Sequence, residues 1–371
     1  MVQPLPQRLN SWLKPPLAIM LGASLMLLSG CSKPNAESLL EDYHSRLARV
    51  LPLAAPESTS NSQIDTAINP VVPFAQPAPL PAIRDIRQPL ADIRLDLLDL
   101  VALRHCDLQQ LVAERNSSLG KVMSEANRFA YEWSLLIKIQ PCLQHPQLAS
   151  SLQQQLTQIF TQKQLQLPKV WQNVMLTDPT LRQQLQGSQR SLTVGATQRI
   201  SPTLQALRQL REFQTLVMTD STSLPQRPIT ATELNAQLAL LYQGQVLADL
   251  QYSLQWSVRY WQQINQQLAA VALEPWCQRA RTNGQLEILQ QVFSQIYLGR
   301  VQPYFAELDG INHQLLPELQ ALYQGTLLQD AITERYLTPA TALRAALQQH
   351  VYWWQQLQQQ CRMQLTPNNR T

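Results

Sequence analysis

The chain has 371 residues, 45% of them hydrophobic and 15% charged, with a formal net charge of +4. Gly is scarce at 10 residues, the dominant Leu, Gln, Ala and Arg are good helix formers, and β-branched runs are rare, so the composition disfavours a strand-rich fold and predicts an all-α one. The charge is small and no Lys/Arg run stands out, which excludes a nucleic-acid partner on electrostatic grounds.

Residues 1–30 read as a secretory signal. Arg8 and Lys14 form a basic n-region, and Leu17 to Leu28 an apolar stretch of 12 residues, too short to span a bilayer comfortably. Leu28-Ser29-Gly30-Cys31 then resembles a bacterial lipobox, although an ordinary secretory signal or an uncleaved helix are the alternatives. The resemblance implies cleavage before Cys31, diacylglycerol on its sulfur and a third acyl chain on its amine. Each buried methylene contributes about 0.8 kcal/mol, so several chains hold where one would only hover. Ser32, in place of Asp, points by analogy with lipoprotein sorting to the outer membrane. Loss of Arg8 and Lys14 takes the 29 basic residues to 27 against 25 acidic ones, a mature charge of about +2.

The first amphipathic helix is expected over 35–51, capped by Asn35, with Leu39, Tyr43, Leu47 and Val50 on one face. Packing of that face on the domain is the simpler reading; an interfacial helix on lipid headgroups is the other. Residues 52–88 carry seven prolines and no period, which predicts an extended linker.

The body divides into two helical subdomains, 89–220 and 221–365, before a disordered tail at 366–371. Helices are expected over 89–105, 107–115, from Asn116 or Ser117 to about 139, and over 147–164 and 168–186. Ser191 to Ala196 could form a short strand. Ser201-Pro202 opens a helix to about 218, and Ser221 to Pro228 is the internal break. Thr230-x-x-Glu233 is a capping box for a long helix to about 271, with Gly244 as a kink point. Helices at 285–301 and 312–324 are separated by Pro303, and Thr338-Pro339 starts the last one. Its positions Leu343, Leu347, His350, Val351, Trp354, Leu357 and Cys361 form one seam. These spacings suggest an antiparallel helical bundle, or two stacked ones.

Besides Cys31 there are four cysteines, an even number that reads as two disulfides in an oxidising compartment. Of three connectivities, Cys106–Cys142 with Cys277–Cys361 is preferred, because each pair brackets one helical block. Each would stabilise by roughly 3–5 kcal/mol.

Motifs with chemistry are few. Ser118-x-x-Lys121 matches the Ser-x-x-Lys of penicillin-binding proteins, but the accompanying Lys-Thr-Gly and Ser-Asp-Asn are missing, and a capped helix start with an exposed Lys121 explains it as well. His105, Cys106, Cys142 and His145 could in number bind zinc, yet a disulfide is the better use of periplasmic cysteines. Asp92, Asp96 and Asp99 suit a solvated helix face. No haem, phosphate-loop or zinc-protease motif occurs, so no catalytic residue, metal or cofactor is assigned. The aromatics Trp256, Tyr260, Trp261, Tyr352, Trp353 and Trp354 could stack on sugars, but helical spacing favours the core; Trp353 and Trp354 cannot share a face, which would leave one exposed or at an interface. Arg115, Asn116, Lys121 and Trp353 remain as binding candidates.

Glu114 to Lys121 between Cys106 and Cys142, behind a lipobox and the helix Leu39-Leu40-x-x-Tyr43-x-x-Arg46-Leu47-x-Arg49-Val50-Leu51, resembles the domain of unknown function 3080 family of Gram-negative lipoproteins. The resemblance implies a location and no mechanism. The expectation is a lipid-anchored envelope adaptor that meets membrane lipid through acylated Cys31 and a protein partner in the envelope. A cell-wall glycan or small-ligand binding module is the alternative.

Overall fold

The computed structural model describes residues 34–53, 77–91, 93, 103, 106, 108–218 and 227–363. Cys31, His105, the three aspartates at 92, 96 and 99, and most of the expected helix at 89–105 lie outside them. The fold is all-α: among the described residues there is no strand. The expected strand at Ser191 to Ala196 reduces to one bridge, between Asn35 and Thr193, followed by a 3₁₀ turn at Ala196–Arg199.

Helix α1 (Ala36–Val50) starts at a capping box, in which Asn35 Oδ1 accepts from the Ser38 N–H and Ser38 Oγ from the Asn35 N–H. Leu39, Leu40, Tyr43 and Leu47 are fully buried. The interfacial alternative fails for that reason: the apolar face is already covered by protein. The described part of the expected linker also lies on the domain. Around the short helix α2 (Ile83–Ile86) the chain is held by buried side chains. Arg182 Nη2 donates to the Pro81 carbonyl at 2.7 Å, and Arg335 Nη2 donates to that of Ala78. Asn173 pairs with both the N–H and the carbonyl of Gln88 at 2.7 and 3.1 Å.

Next come α3 (Leu108–Asn116), α4 (Ser118–Lys121), α5 (Glu125–Cys142) and α6 (Ser150–Thr177). The helix expected from 116 to 139 has two starts, because Ser117 caps α4 and Ser124 caps α5. The two helices expected at 147–164 and 168–186 merge across Pro168. Leu167, Val170, Trp171 and Val174 form one buried stripe over that proline, and their burial outweighs the roughly 3 kcal/mol that an internal proline costs. The chain breaks instead at Asp178, whose carboxylate caps α7 (Pro179–Gln186) by accepting from the Thr180 and Leu181 N–H groups.

Helix α8 (Ser201–Met218) leads to α9 (Ala231–Gly244), which Thr230 and Glu233 cap as expected. The long helix then divides at Gln245, left-handed at φ 49°, and continues as α10 (Val246–Ala269). Helix α11 (Leu273–Ala280) and α12 (Gln285–Gln291) follow. Pro303 is no break. A π-helical segment, Val292–Val301, runs straight into α13 (Gln302–Tyr323), and a second, Thr333–Leu337, connects α14 (Gln329–Ile332) to α15 (Thr338–Cys361). Each π segment is followed within two residues by a proline, whose ring and missing N–H a widened turn tolerates.

Helix α10 is the axis of the packing, touching α1, α7 and α15. Pairings cross residue 220 freely: α5 and α7 pack on α9, and α8 on α9 and α13. From Asn35 onward the chain forms one compact unit. A main core runs through it, and a satellite core of Leu108, Val112, Leu135, Ile139, Leu156 and Ile159 joins α3, α5 and the first half of α6. Both expected cysteine pairs stand at bonding distance, Cys106–Cys142 in the satellite and Cys277–Cys361 between α11 and the end of α15, with Cα separations of 5.2 and 5.1 Å.

At the centre of the main core a histidine is fully hydrogen-bonded. His350 Nε2 lies 2.7 Å from Tyr43 Oη and 3.0 Å from Trp354 Nε1, and its Nδ1 lies 3.1 Å from Asn265 Oδ1. Asn265 Nδ2 donates to the Ala346 carbonyl, so its Oδ1 is an acceptor. That assigns the ring proton to Nδ1 and leaves Nε2 to accept. Burial lowers the imidazole pKa to about 3 and pushes the Tyr43 phenol well above its usual value. The expected seam of α15 holds at Leu343, His350, Trp354, Leu357 and Cys361, whereas Val351 is exposed.

Candidate functional site

The satellite core builds a cavity of about 120 Å³ lined by Arg115, Asn116, Lys121, Arg128, Tyr131, Glu132 and Lys163 over a floor of Val112, Leu135 and Ile159. Its construction follows from the chain. The Cys106–Cys142 pair ties the approach to α3 to the last turn of α5. Arg115, in the last turn of α3, is thereby brought to the first half of α5, where Arg128, Tyr131 and Glu132 project. Ala91 and Ile93, at the end of the docked strap, close one side.

Lys121 is placed by a tight turn. Ser117 Oγ accepts from the Gly120 N–H at 3.0 Å, and Arg115 Nη1 donates to the Gly120 carbonyl. Gly120 is required there, because a Cβ would stand 2.6 Å from the Arg115 carbonyl oxygen, well inside contact. Opposite, Lys163 Nζ reaches both oxygens of Glu132 at 2.8 and 2.9 Å, with side chains only 10% and 6% exposed. Removing one partner of such a buried pair costs about 3–5 kcal/mol, so it locks α6 onto α5. Burial, and then the Glu132 charge, raise the Tyr131 pKa, so its hydroxyl stays a donor.

Four cations and one carboxylate line the space, a net +3. Such a lining has the charge and the donors that an anion would need. Three of the four candidates from the sequence, Arg115, Asn116 and Lys121, meet here. Trp353 does not: it is 6% exposed and donates to the Leu268 carbonyl at 3.0 Å. Trp353 and Trp354 are both buried, because α15 is covered on two sides, by α10 and α11 and by the layer holding Tyr43 and Phe293. Trp261 and Tyr260 are buried too, and Tyr352 is left at the surface. Arg128, Tyr131, Glu132 and Lys163 were missed in the sequence. The available signal was Glu132, a charge inside the apolar stripe of Ala126, Phe129, Trp133 and Leu136.

The other motifs resolve simply. Ser118 and Lys121 are both exposed on the one-turn α4. Cys106 and Cys142 are joined to each other, and among the described residues no three His, Cys, Asp or Glu side chains converge as a metal site needs. Among the described residues no helix is long and apolar enough to cross a membrane.

Residues 40–365, from α1 to beyond α15, match the family described as Protein of unknown function (DUF3080). The chain belongs to the DUF3080 family. The match includes both cysteine pairs and every described cavity residue. No curated protein and no solved structure matches this DUF3080 chain.

Proposed function

We propose that this DUF3080 protein is a lipid-anchored helical module on the periplasmic face of the outer membrane, and that it works by binding a small anionic ligand. The convergence of Arg115, Lys121, Arg128 and Lys163 on one cavity, against Glu132, carries the ligand reading. The anchor reading rests on Leu28 to Cys31 and on Ser32; two cysteine pairs at bonding distance suit an oxidising compartment. Cys31→Ala should give a protein that is uncleaved or released from the membrane, and unchanged mature attachment would sink the lipobox. For the ligand, thermal unfolding of the full-length chain against small anions is the test. An anion at a hundred times its Kd stabilises by about 2.7 kcal/mol, and Lys121→Gln should remove about half of that gain or more. If no anion raises the melting temperature, the reading fails.

A second reading, an envelope adaptor with a protein partner, is favoured by one surface. An open groove between α13 and α15 is lined by Phe305, Leu347, Val351 and Tyr352, with Val351 39% and Tyr352 59% exposed. Contiguous exposed apolar surface of this kind marks interaction sites. A crosslinker at position 352 in the cell envelope should capture one dominant protein under this reading, and only scattered abundant proteins if it is wrong.

A further inference from the structure

We infer that the basic cavity takes a phosphate group, carried by a molecule whose apolar part lies against Leu119 and Val122. The inference rests on the anion-binding reading and narrows it through size, donor geometry and the exposed apolar residues next to Lys121.

Size comes first. The cavity holds about 120 Å³. That is well below the roughly 300–1,000 Å³ of sites that enclose drug-sized ligands. The cavity proper therefore suits a group the size of one tetrahedral oxyanion head, and the rest of a larger ligand lies outside it. The donors come next. The donor residues come from different segments: Arg115 from α3, Lys121 from α4 and Tyr131 from α5, with Lys163 of α6 held beside them by Glu132. A planar carboxylate presents two oxygens in one plane, while phosphate presents oxygens in several directions and carries up to two charges. The net +3 lining and the Arg fork suit the latter. The Gly120 carbonyl holds the fork by one arm, so its plane is set before a ligand arrives.

Leu119 and Val122 do not line the cavity, but they flank Gly120-Lys121 in the chain and are 82% and 79% exposed. Two large apolar side chains displayed beside a cationic donor suit an amphiphile, a phosphate head with an apolar body. A lipid phosphomonoester headgroup and a soluble phosphate monoester share this chemistry, and the experiment separates them.

The full-length chain in non-ionic detergent is titrated at one ionic strength with inorganic phosphate, acetate and short-chain phosphatidic acid. Phosphate is expected to bind and acetate to bind at least tenfold more weakly. Lys121→Gln, at an exposed position, should leave the circular dichroism unchanged and weaken phosphate about tenfold or more, as expected for loss of a charged hydrogen-bond partner. Phosphatidic acid binding more tightly than phosphate, with Leu119→Ser/Val122→Ser abolishing that advantage alone, assigns the source to a membrane lipid. Equal affinities that ignore the double variant assign it to a soluble ester and remove the role of Leu119 and Val122. Acetate binding as well as phosphate, with the same Lys121 dependence, overturns the phosphate assignment and leaves the anion reading standing. Phosphate binding that ignores Lys121→Gln overturns the site. No binding by any anion overturns both.

Discussion

His350 makes this protein sensitive to acid in a way that one substitution should cancel. The imidazole titrates near 6.5 in an unfolded chain and at about 3 in the fold, where burial opposes its charge. The folded value lies below the unfolded one, so between them the unfolded state binds more protons. Stability is therefore full above pH 6.5, falls as the pH drops through that value, and reaches its lowest contribution below pH 3. At pH 5 the loss from this one group is about 2 kcal/mol, and over the whole window it approaches about 5 kcal/mol. The local geometry gives the reason. A proton on Nε2 would point at the Tyr43 hydroxyl and the Trp354 indole N–H, 2.7 and 3.0 Å away, both now donating to that nitrogen. His350→Gln is the informative change. Its amide can donate to Asn265 and accept from Tyr43, but it does not titrate. Losing the ring contact with Trp261, at 4.5 Å between centroids, should lower stability at neutral pH by about 1–3 kcal/mol. Urea unfolding followed by tryptophan fluorescence at pH 7 and pH 5 reads both effects. The native protein should lose about 2 kcal/mol more than the variant between the two. His44, whose pKa burial also lowers against the raising effect of its Gln267 contact, titrates in both proteins and cancels in the comparison. Equal losses in the two proteins would refute the assignment of a neutral, Nδ1-protonated His350.

Three further outcomes follow from the packing. Replacing both Cys277 and Cys361 by Ala should cost about 4.5 kcal/mol, because their bond closes a separation of 84 residues; opening Cys106–Cys142, at 36 residues, should cost somewhat less, about 4 kcal/mol, and also weaken anion binding by freeing α3 from α5. Paired chemical denaturation and calorimetry check the two, and anion affinity unchanged by reduction would separate the bond from the site. Gly120→Ala, which forces a methyl group against the Glu114 and Arg115 carbonyls, should cost about 1–3 kcal/mol and reduce anion affinity more than it shifts the global unfolding midpoint. Leu47→Ala should cost about 3–5 kcal/mol in urea unfolding if α1 is a core element, since Leu47 is fully buried; a cost below about 0.5 kcal/mol would make α1 a surface appendage.

The helical class was legible because composition is a sum over the chain and needs no knowledge of contacts. Local starts were legible for a related reason. Asn35, and Thr230 with Glu233, act through groups within one turn, so the signal and its effect lie side by side; Thr338-Pro339 read as a start too, but the helical run passes through it without a side-chain cap. The cysteine pairing was reachable because each pair brackets one block of helices. Breaks were a different matter. A gap was read just before Pro168 and a break at Pro303, and both prolines lie in continuous helical runs, because whether a proline ends a helix depends on what the stripe around it buries and on whether a widened turn is available. Trp353 and Trp354 read as one buried and one exposed or at an interface; α15 is covered on two sides, which no period along its own sequence records. The cavity shows the same division. Arg115, Asn116 and Lys121 share one short stretch and were visible as a group, while Glu132 and Lys163, 31 residues apart, meet only because the satellite core lays α6 on α5. Sequence fixes interactions whose partners are a turn away, and tertiary structure decides which faces cover one another and therefore where charges are left to converge.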